Sequence, residues 1–442
     1  MDTILKLHDP LLVVKFQRLC GLVPVLERTK SSTAETVKMC NGGTQLECIN
    51  GDYLQQNGKY VLKEVYGIKN NKLTGREDFR NGQLLPPYGQ DDSDSDNGVG
   101  KGEGQFPFPF ENNLTPHLIK NMFLYYIFRV ASFLGEELFF LTFLPFVAWN
   151  VDTVVTRRTV IVWCTCMYTG QAIKDVLRWP RPSSPPVIRL ETDFSQEFSM
   201  PSTHAMAGTA IPMTMLLEIT SRYQVPFGVT CSLAVLWMVL VCLSRLYLGV
   251  HSPLDIICGA LLALFLTGFL SFFMEDIDIF LQTHPLGAFV ATSIALALCT
   301  ICYPRIVKGT TGKGDAVQIV SSVAGICLGS WLNYQYGFTH IVPKGELFPL
   351  IAPNLKLVAT SILRFFIGVI VIALIRTVVK SFSIKLASYS LGLEKPDKKD
   401  PRVETAYKFL TYYCIGVVVI CTIPMVHGVI GLGRPSFSSE VL

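Results

Sequence analysis

The sequence predicts an all-α protein, a polytopic bundle of membrane-spanning helices. Three observations carry that expectation. Half of the 442 residues are apolar and only 16% are charged, whereas a soluble globular chain carries about 25% charged residues. Too few charges remain to cover a water-exposed surface. More than a third of those charges precede His117, which leaves the remainder sparser still, and the mean hydropathy is +0.39. After Pro116, apolar segments follow in quick succession, several near the ~20 residues needed to cross a bilayer core. A disordered chain, a nucleic-acid binder and a cytosolic enzyme are all excluded by this balance. The net charge of +4 leaves no strongly basic arm for nucleic acid.

Taken in order, residues 1–115 read as a cytosolic, largely flexible region. Met1 to Glu27 lacks the basic start, apolar run and cleavage site of a signal peptide. Two readings stay open for Leu11–Leu19: a short interfacial helix or an ordinary flexible segment. Asp91 to Gly104, with its Asp-Asp-Ser-Asp-Ser-Asp run, cannot bury apolar area and reads as a disordered linker. Phe106-Pro-Phe-Pro-Phe110 suits an anchor at the membrane interface, and the sequon Asn113-Leu-Thr115 goes unused if the N-terminus is cytosolic.

Ten candidate spans follow, near 118–134, 137–153, 158–177, 203–221, 227–246, 252–273, 284–303, 316–336, 357–379 and 406–430. Arg157-Arg158, between the second and third, read as cytosolic by the positive-inside rule. The connections after Ile173 and after Arg245 then face the opposite side. The basic stretch from Arg376 to Arg402 breaks simple alternation, so either a segment between 316 and 356 is re-entrant or the charge rule fails there. Most of the thirteen cysteines lie in apolar runs and are expected to be small buried hydrophobes. They offer neither a disulfide framework nor a metal site, and no cofactor is expected.

Ionisable residues at the ends of membrane helices are costly, and therefore functional candidates. Three clusters stand out. The first is Lys174-Asp-Val-Leu-Arg-Trp-Pro-Arg181-Pro182, the second Met200-Pro201-Ser202-Thr203-His204, and the third Ser244-Arg245 through His251 to Asp255. By the span count all three fall on one side of the membrane. Lys174, Arg181 and Arg245 supply three cations, two of them guanidinium forks matched to phosphate oxygens. Ser202 and the amides opening the next helix add donors where a helix start favours anions. His251 and Asp255 are spaced i, i+4, so on a helical turn they share a face. An aspartate bonded to one imidazole nitrogen would fix the tautomer and leave the other free as nucleophile. His204 can protonate a departing alkoxide. Singly, each group reads as an interface anchor or a packed helix end; together and in order they describe a metal-free phosphoryl-transfer site. His8, His117, His284, His340 and His427 lack such company and read as structural or solvent-exposed.

Lys174-x6-Arg181-Pro182, Pro201-Ser202-x-His204 and Ser244-Arg245-x5-His251-x3-Asp255 match the three-part signature of the type 2 phosphatidic acid phosphatase (PAP2) superfamily. The second motif commonly has glycine where this chain has Thr203. Within the superfamily, Phe198–Met206, the Ser-Arg-Leu-Tyr-Leu-Gly-Val-His run and the extra spans after 273 resemble the sphingosine-1-phosphate phosphatase family. Lys15-Phe-Gln-Arg-Leu-Cys-Gly21 is similar to its isoform 1 branch. The resemblance implies a six-helix catalytic core over 116–275 and additional transmembrane helices over 276–442. It implies that His251 is the nucleophile of a phosphohistidine mechanism, that Asp255 orients it and that His204 is the general acid and base. Lys174, Arg181, Ser202, Thr203 and Arg245 would hold the phosphate, without Mg²⁺. It further implies an endoplasmic-reticulum membrane enzyme with a lumen-facing site and sphingosine 1-phosphate and dihydrosphingosine 1-phosphate as substrates. A lipid phosphotransferase, a vanadate haloperoxidase and a non-catalytic scaffold are the alternatives.

Overall fold

A computed structural model describes residues 6–24, 117–191, 197–304, 311–342, 347–349, 354–393 and 400–434, with short strand segments between 47 and 73 and at 439–441. The linker at 91–104, the Phe106–Phe110 anchor and the Asn113 sequon lie outside the described residues.

The chain is helical, as its composition predicts. Of the two readings for residues 11–19, the helix is what forms: α1 (Pro10–Leu19) is capped by Asp9, whose carboxylate accepts the Leu11 amide. Six helices then follow where the catalytic core is expected. They are α2 (Met122–Phe133), α3 (Glu137–Asn150), α4 (Thr153–Leu177), α5 (Thr203–Arg222), α6 (Phe227–Tyr247) and α7 (Pro253–Ser271). Beyond them lie α8 (Met274–Thr283), α9 (Gly287–Ala297), α10 (Gly312–Gln335), α11 (Leu355–Ser390), α12 (Pro401–Val417) and α13 (Ile423–Val429). Strand Leu22–Pro24 pairs antiparallel with His117–Ile119.

Among the described residues, five helices are long and apolar enough to cross a membrane, or seven if each of two bent pairs is one span. The protein is thus a multi-pass membrane protein. At 12 and 14 residues, α2 and α3 rise only about 18 and 21 Å, so each is short of a ~30 Å core. The candidate at 284–303 is the second arm of a pair bent by 112°. That pair is a broken span or a re-entrant segment, whereas α10 is a continuous helix. The basic stretch after Arg376 also starts inside α11 and is not a loop from that residue.

Arg157 and Arg158 do not lie in a connection; they sit in the second turn of α4, 1% and 5% exposed. Asp278 of α8 accepts from both: from Arg157 through Nε and Nη2 and from Arg158 through Nε at 3.1 Å. Glu218 of α5 takes Arg158 Nη1 at 2.9 Å. Two cations and two anions are buried as one neutral cluster, so this pair carries no weight as a cytosolic loop charge.

The contacts divide the chain into two units, one of Met1–Arg129, Pro180–Ser199 and Leu243–Leu254, the other of Val130–Trp179, Met200–Cys242 and Asp255–Leu442. The first packs Leu22, Ile119, Phe128, Ile188, Tyr247 and Leu248 into its core, with the Phe128 and Tyr247 rings stacked at 4.9 Å. The second is built on Phe140, Trp149, Trp163, Ile211, Ile326 and Ile420. Within it α10 is the most enclosed of the candidate spans, 67% buried, against 11% for α11, whose sides are left for lipid.

Candidate active site

The unit boundary runs through the first and third motifs, so the site residues form two constellations. Lys174, Ser202, Thr203, His204 and Asp255 belong to the second unit; Arg181, Arg245 and His251 belong to the first.

In the second unit, α4 delivers Lys174 in its last turn and ends at Arg178, which takes the left-handed conformation at φ 52°. Asp175 beside Lys174 is buried and accepts the Tyr303 hydroxyl at 2.9 Å, which fixes the rotation of this helix end. The ammonium of Lys174, 2% exposed, donates to Thr203 Oγ1 at 3.0 Å. Thr203 thus has a specific partner, and its own O–H is left to donate. Ser202 caps α5, its hydroxyl accepting the Ala205 amide at 3.4 Å. That leaves the amides of the first turn pointing out of the helix N-terminus, the arrangement that favours an anion. His204 follows as the second residue of α5. The Ser202 amide donates to the Asp255 carbonyl at 3.1 Å, tying the entry of α5 to the first turn of α7. Gly259, one turn further along α7, permits this approach: a Cβ there would lie 2.7 Å from the Ser202 carbonyl oxygen.

In the first unit, Arg181 is held from two sides. Its Nε donates to the Glu197 carbonyl at 3.0 Å and its Nη1 to the Val250 carbonyl at 2.8 Å. The same Nη1 lies 3.4 Å from His251 Nε2, and the other ring nitrogen, Nδ1, lies 3.3 Å from Ser199 Oγ. Arg245, fully buried, pairs through Nη1 with Glu191 Oε2 at 3.1 Å. The turn from Arg245 to His251 reverses at Gly249, with φ +71°, where a Cβ would lie 2.2 Å from the Ile188 carbonyl oxygen. Only glycine fits that backbone without strain. Arg189 stands in the connection between α4 and α5, its Nη2 donating to the Pro182 carbonyl at 2.7 Å, and burial pushes its guanidinium below the ordinary value.

The i, i+4 argument for His251 and Asp255 does not hold as stated, because α7 starts at Pro253 and His251 precedes it. Within the first unit, His251 Nδ1 meets the hydroxyl of Ser199, the residue just before the second motif. Two other contacts were beyond sequence reasoning. Gln17 of α1 donates to the carbonyls of Ile188 at 2.6 Å and Tyr247 at 2.9 Å and accepts the Ile188 amide. His8, read as without a functional neighbour, has Nδ1 3.0 Å from the Ser252 hydroxyl, next to His251. His427 is structural, its Nε2 at 3.1 Å from the Arg364 carbonyl.

Comparison with known proteins places residues 156–278 in the PAP2 superfamily. The chain is 38% identical over 324 residues to sphingosine-1-phosphate phosphatase 2 of Mus musculus, covering 72% of this chain and 90% of that protein. It is 34% identical over 439 residues to sphingosine-1-phosphate phosphatase 1 of Mus musculus, covering 97% of each. It is 28% identical over 233 residues to a dihydrosphingosine 1-phosphate phosphatase of Schizosaccharomyces pombe, half of this chain and 56% of that one. No solved structure matches the chain.

Proposed function

Because the chain belongs to the sphingosine-1-phosphate phosphatase family within the PAP2 superfamily, and is thereby a lipid phosphate phosphatase, we propose that it hydrolyses long-chain base 1-phosphates through a phosphohistidine. Sphingosine 1-phosphate and dihydrosphingosine 1-phosphate are the substrates we assign to it, and the free base and inorganic phosphate are the products.

In this reading the three motifs supply the groups that the reaction needs. Lys174, Arg181 and Arg245 offset a monoester charge of about −1.5 to −2 and stabilise the charge that spreads over the equatorial oxygens in the transition state. Ser202 and Thr203 add hydroxyl donors. His251 Nε2 attacks phosphorus as the P–O ester bond breaks, and His204 gives its proton to the departing lipid alkoxide. His204 then takes a proton from water as that oxygen attacks phosphorus, the N–P bond breaks and phosphate leaves. Ser199 and Asp255 hold the imidazole in the tautomer that leaves Nε2 unprotonated and offset the positive charge it acquires. With three fixed cations performing the neutralisation, turnover is expected to be independent of Mg²⁺. The enzyme would reside in the endoplasmic reticulum membrane with this site toward the lumen.

The observation that most supports the reading is the 3.4 Å between Arg181 Nη1 and His251 Nε2, the guanidinium assigned here to phosphate and the nitrogen assigned here to the attack. The test is phosphate release by the purified chain from sphingoid, glycerolipid and sugar phosphates, with and without chelator and with no acceptor alcohol. Wild type should release phosphate from sphingoid phosphates, and His251→Ala should be inactive while still inserting into membranes. Near-wild-type activity in His251→Ala would remove the covalent mechanism. Release that occurs only with an acceptor lipid would make the protein a phosphotransferase.

A further inference from the structure

From the surroundings of Arg245 we infer that Glu191 pairs with the ammonium group of the substrate and so selects long-chain base phosphates over phosphates that lack an amine. The inference rests on the phosphatase reading above and gives that site its headgroup specificity.

Glu191 lies in the connection between the first and second motifs. Its backbone is pinned by its neighbour, because the Leu190 amide donates to the Leu248 carbonyl at 3.1 Å. The carboxylate bridges two guanidinium groups: Oε2 is 3.1 Å from Arg245 Nη1 and Oε1 is 3.2 Å from Arg129 Nη1. The two partners differ in exposure. Arg245 is fully enclosed, whereas the Arg129 side chain is 44% exposed.

A carboxylate against a phosphate-binding arginine is an electrostatic liability for a site that takes a bare phosphate monoester. It consumes part of the arginine's charge and repels the incoming dianion. The liability disappears when the substrate carries its own cation next to the phosphate. A long-chain base phosphate does so: the ester oxygen is on the first carbon and a protonated amine is on the second. Arg245 can then keep one edge on Glu191 and turn another to the phosphate. The substrate's ammonium meets Oε1, and the solvent-facing Arg129 gives way. The result alternates sign from carboxylate to ammonium to phosphate to guanidinium, which a phosphate lacking an amine cannot complete. A site that pairs a specific group discriminates strongly against ligands without it, because the pairing group then loses its intended partner.

The experiment compares wild type, Glu191→Gln and Glu191→Asp as purified full-length chains in mixed micelles. It measures kcat/KM for sphingosine 1-phosphate and for hexadecyl phosphate, which lacks the amine. The expected result is a loss of tenfold or more on sphingosine 1-phosphate in Glu191→Gln, no loss on hexadecyl phosphate, and partial recovery of the ratio in Glu191→Asp. The alkyl phosphate rate also reports that each variant is folded. Equal losses on both substrates would overturn the inference and make Glu191 a positioning residue for Arg245. Equal gains would overturn it in the other direction and make Glu191 an anion competing with phosphate. An unchanged ratio in all three proteins would leave it no role in selection. Wild type that hydrolyses neither substrate would instead sink the phosphatase reading, and this inference with it.

Discussion

Thr203 is the point at which this chain leaves the usual second motif, and the hydrogen bond it accepts from Lys174 makes the departure testable. Thr203→Val keeps the branched shape and deletes only the hydroxyl. The Lys174 ammonium is 2% exposed and 3.0 Å from Oγ1, so water cannot readily replace the lost acceptor. A hydrogen bond to a charged group contributes about 1.5–3 kcal/mol, and each 1.36 kcal/mol is about tenfold in rate. A loss of roughly ten- to hundredfold in kcat/KM is therefore expected. Thr203→Ser should stay within about threefold of wild type. Lys174→Met and the double variant close a double-mutant cycle on phosphate release by purified protein. Coupling of at least about 1 kcal/mol is expected for groups in direct contact. If Thr203→Val loses less than threefold, or if the two substitutions simply add, the hydroxyl does not place the lysine. Thr203 would then be a neutral replacement for glycine that serves only through its backbone amide.

Gly259→Ala forces a methyl to 2.7 Å from the Ser202 carbonyl oxygen, a backbone atom with little room to move. Overpacking of this kind costs about 1–3 kcal/mol, and kcat is expected to fall more than expression; unchanged kinetics would show that the entry of α5 tolerates displacement. Asp278→Asn leaves Arg157 and Arg158 buried without their shared carboxylate. Breaking such a buried pair costs about 3–5 kcal/mol, so a lower thermal transition in detergent is expected with KM unaltered. An unshifted transition would mean the two arginines find other anions.

The fold class and the family motifs were legible in the sequence for separate reasons. Membrane helices announce themselves through uninterrupted apolar length, so α6, α7 and α10 to α12 are evident from composition. The motif residues announce themselves because cations, imidazoles and a carboxylate at helix ends are expensive and rarely accidental. What stayed hidden depends on contacts between distant residues. Arg157 and Arg158 look like loop charges until Asp278, about 120 positions later, is seen to neutralise them. Ser199 gave no signal because serine is ordinary in a connection; only its place 3.3 Å from His251 Nδ1 marks it. Glu191 was likewise one acid among several, and its distance to Arg245 singles it out. The spacing of His251 and Asp255 is not a spacing within one helix, because Pro253, a favoured first residue of a helix, starts α7 after the histidine.

The contacts of His8 and Gln17 carry a consequence for how the enzyme is made. Gln17 grips Tyr247 across 230 positions of chain and His8 meets Ser252 across 244. Both residues therefore await partners translated more than two hundred positions later. A polypeptide initiated at Met39, or clipped between Gln17 and Met39, would retain every motif residue and every transmembrane helix among the described residues. It would nonetheless be missing the clasp around the histidine turn.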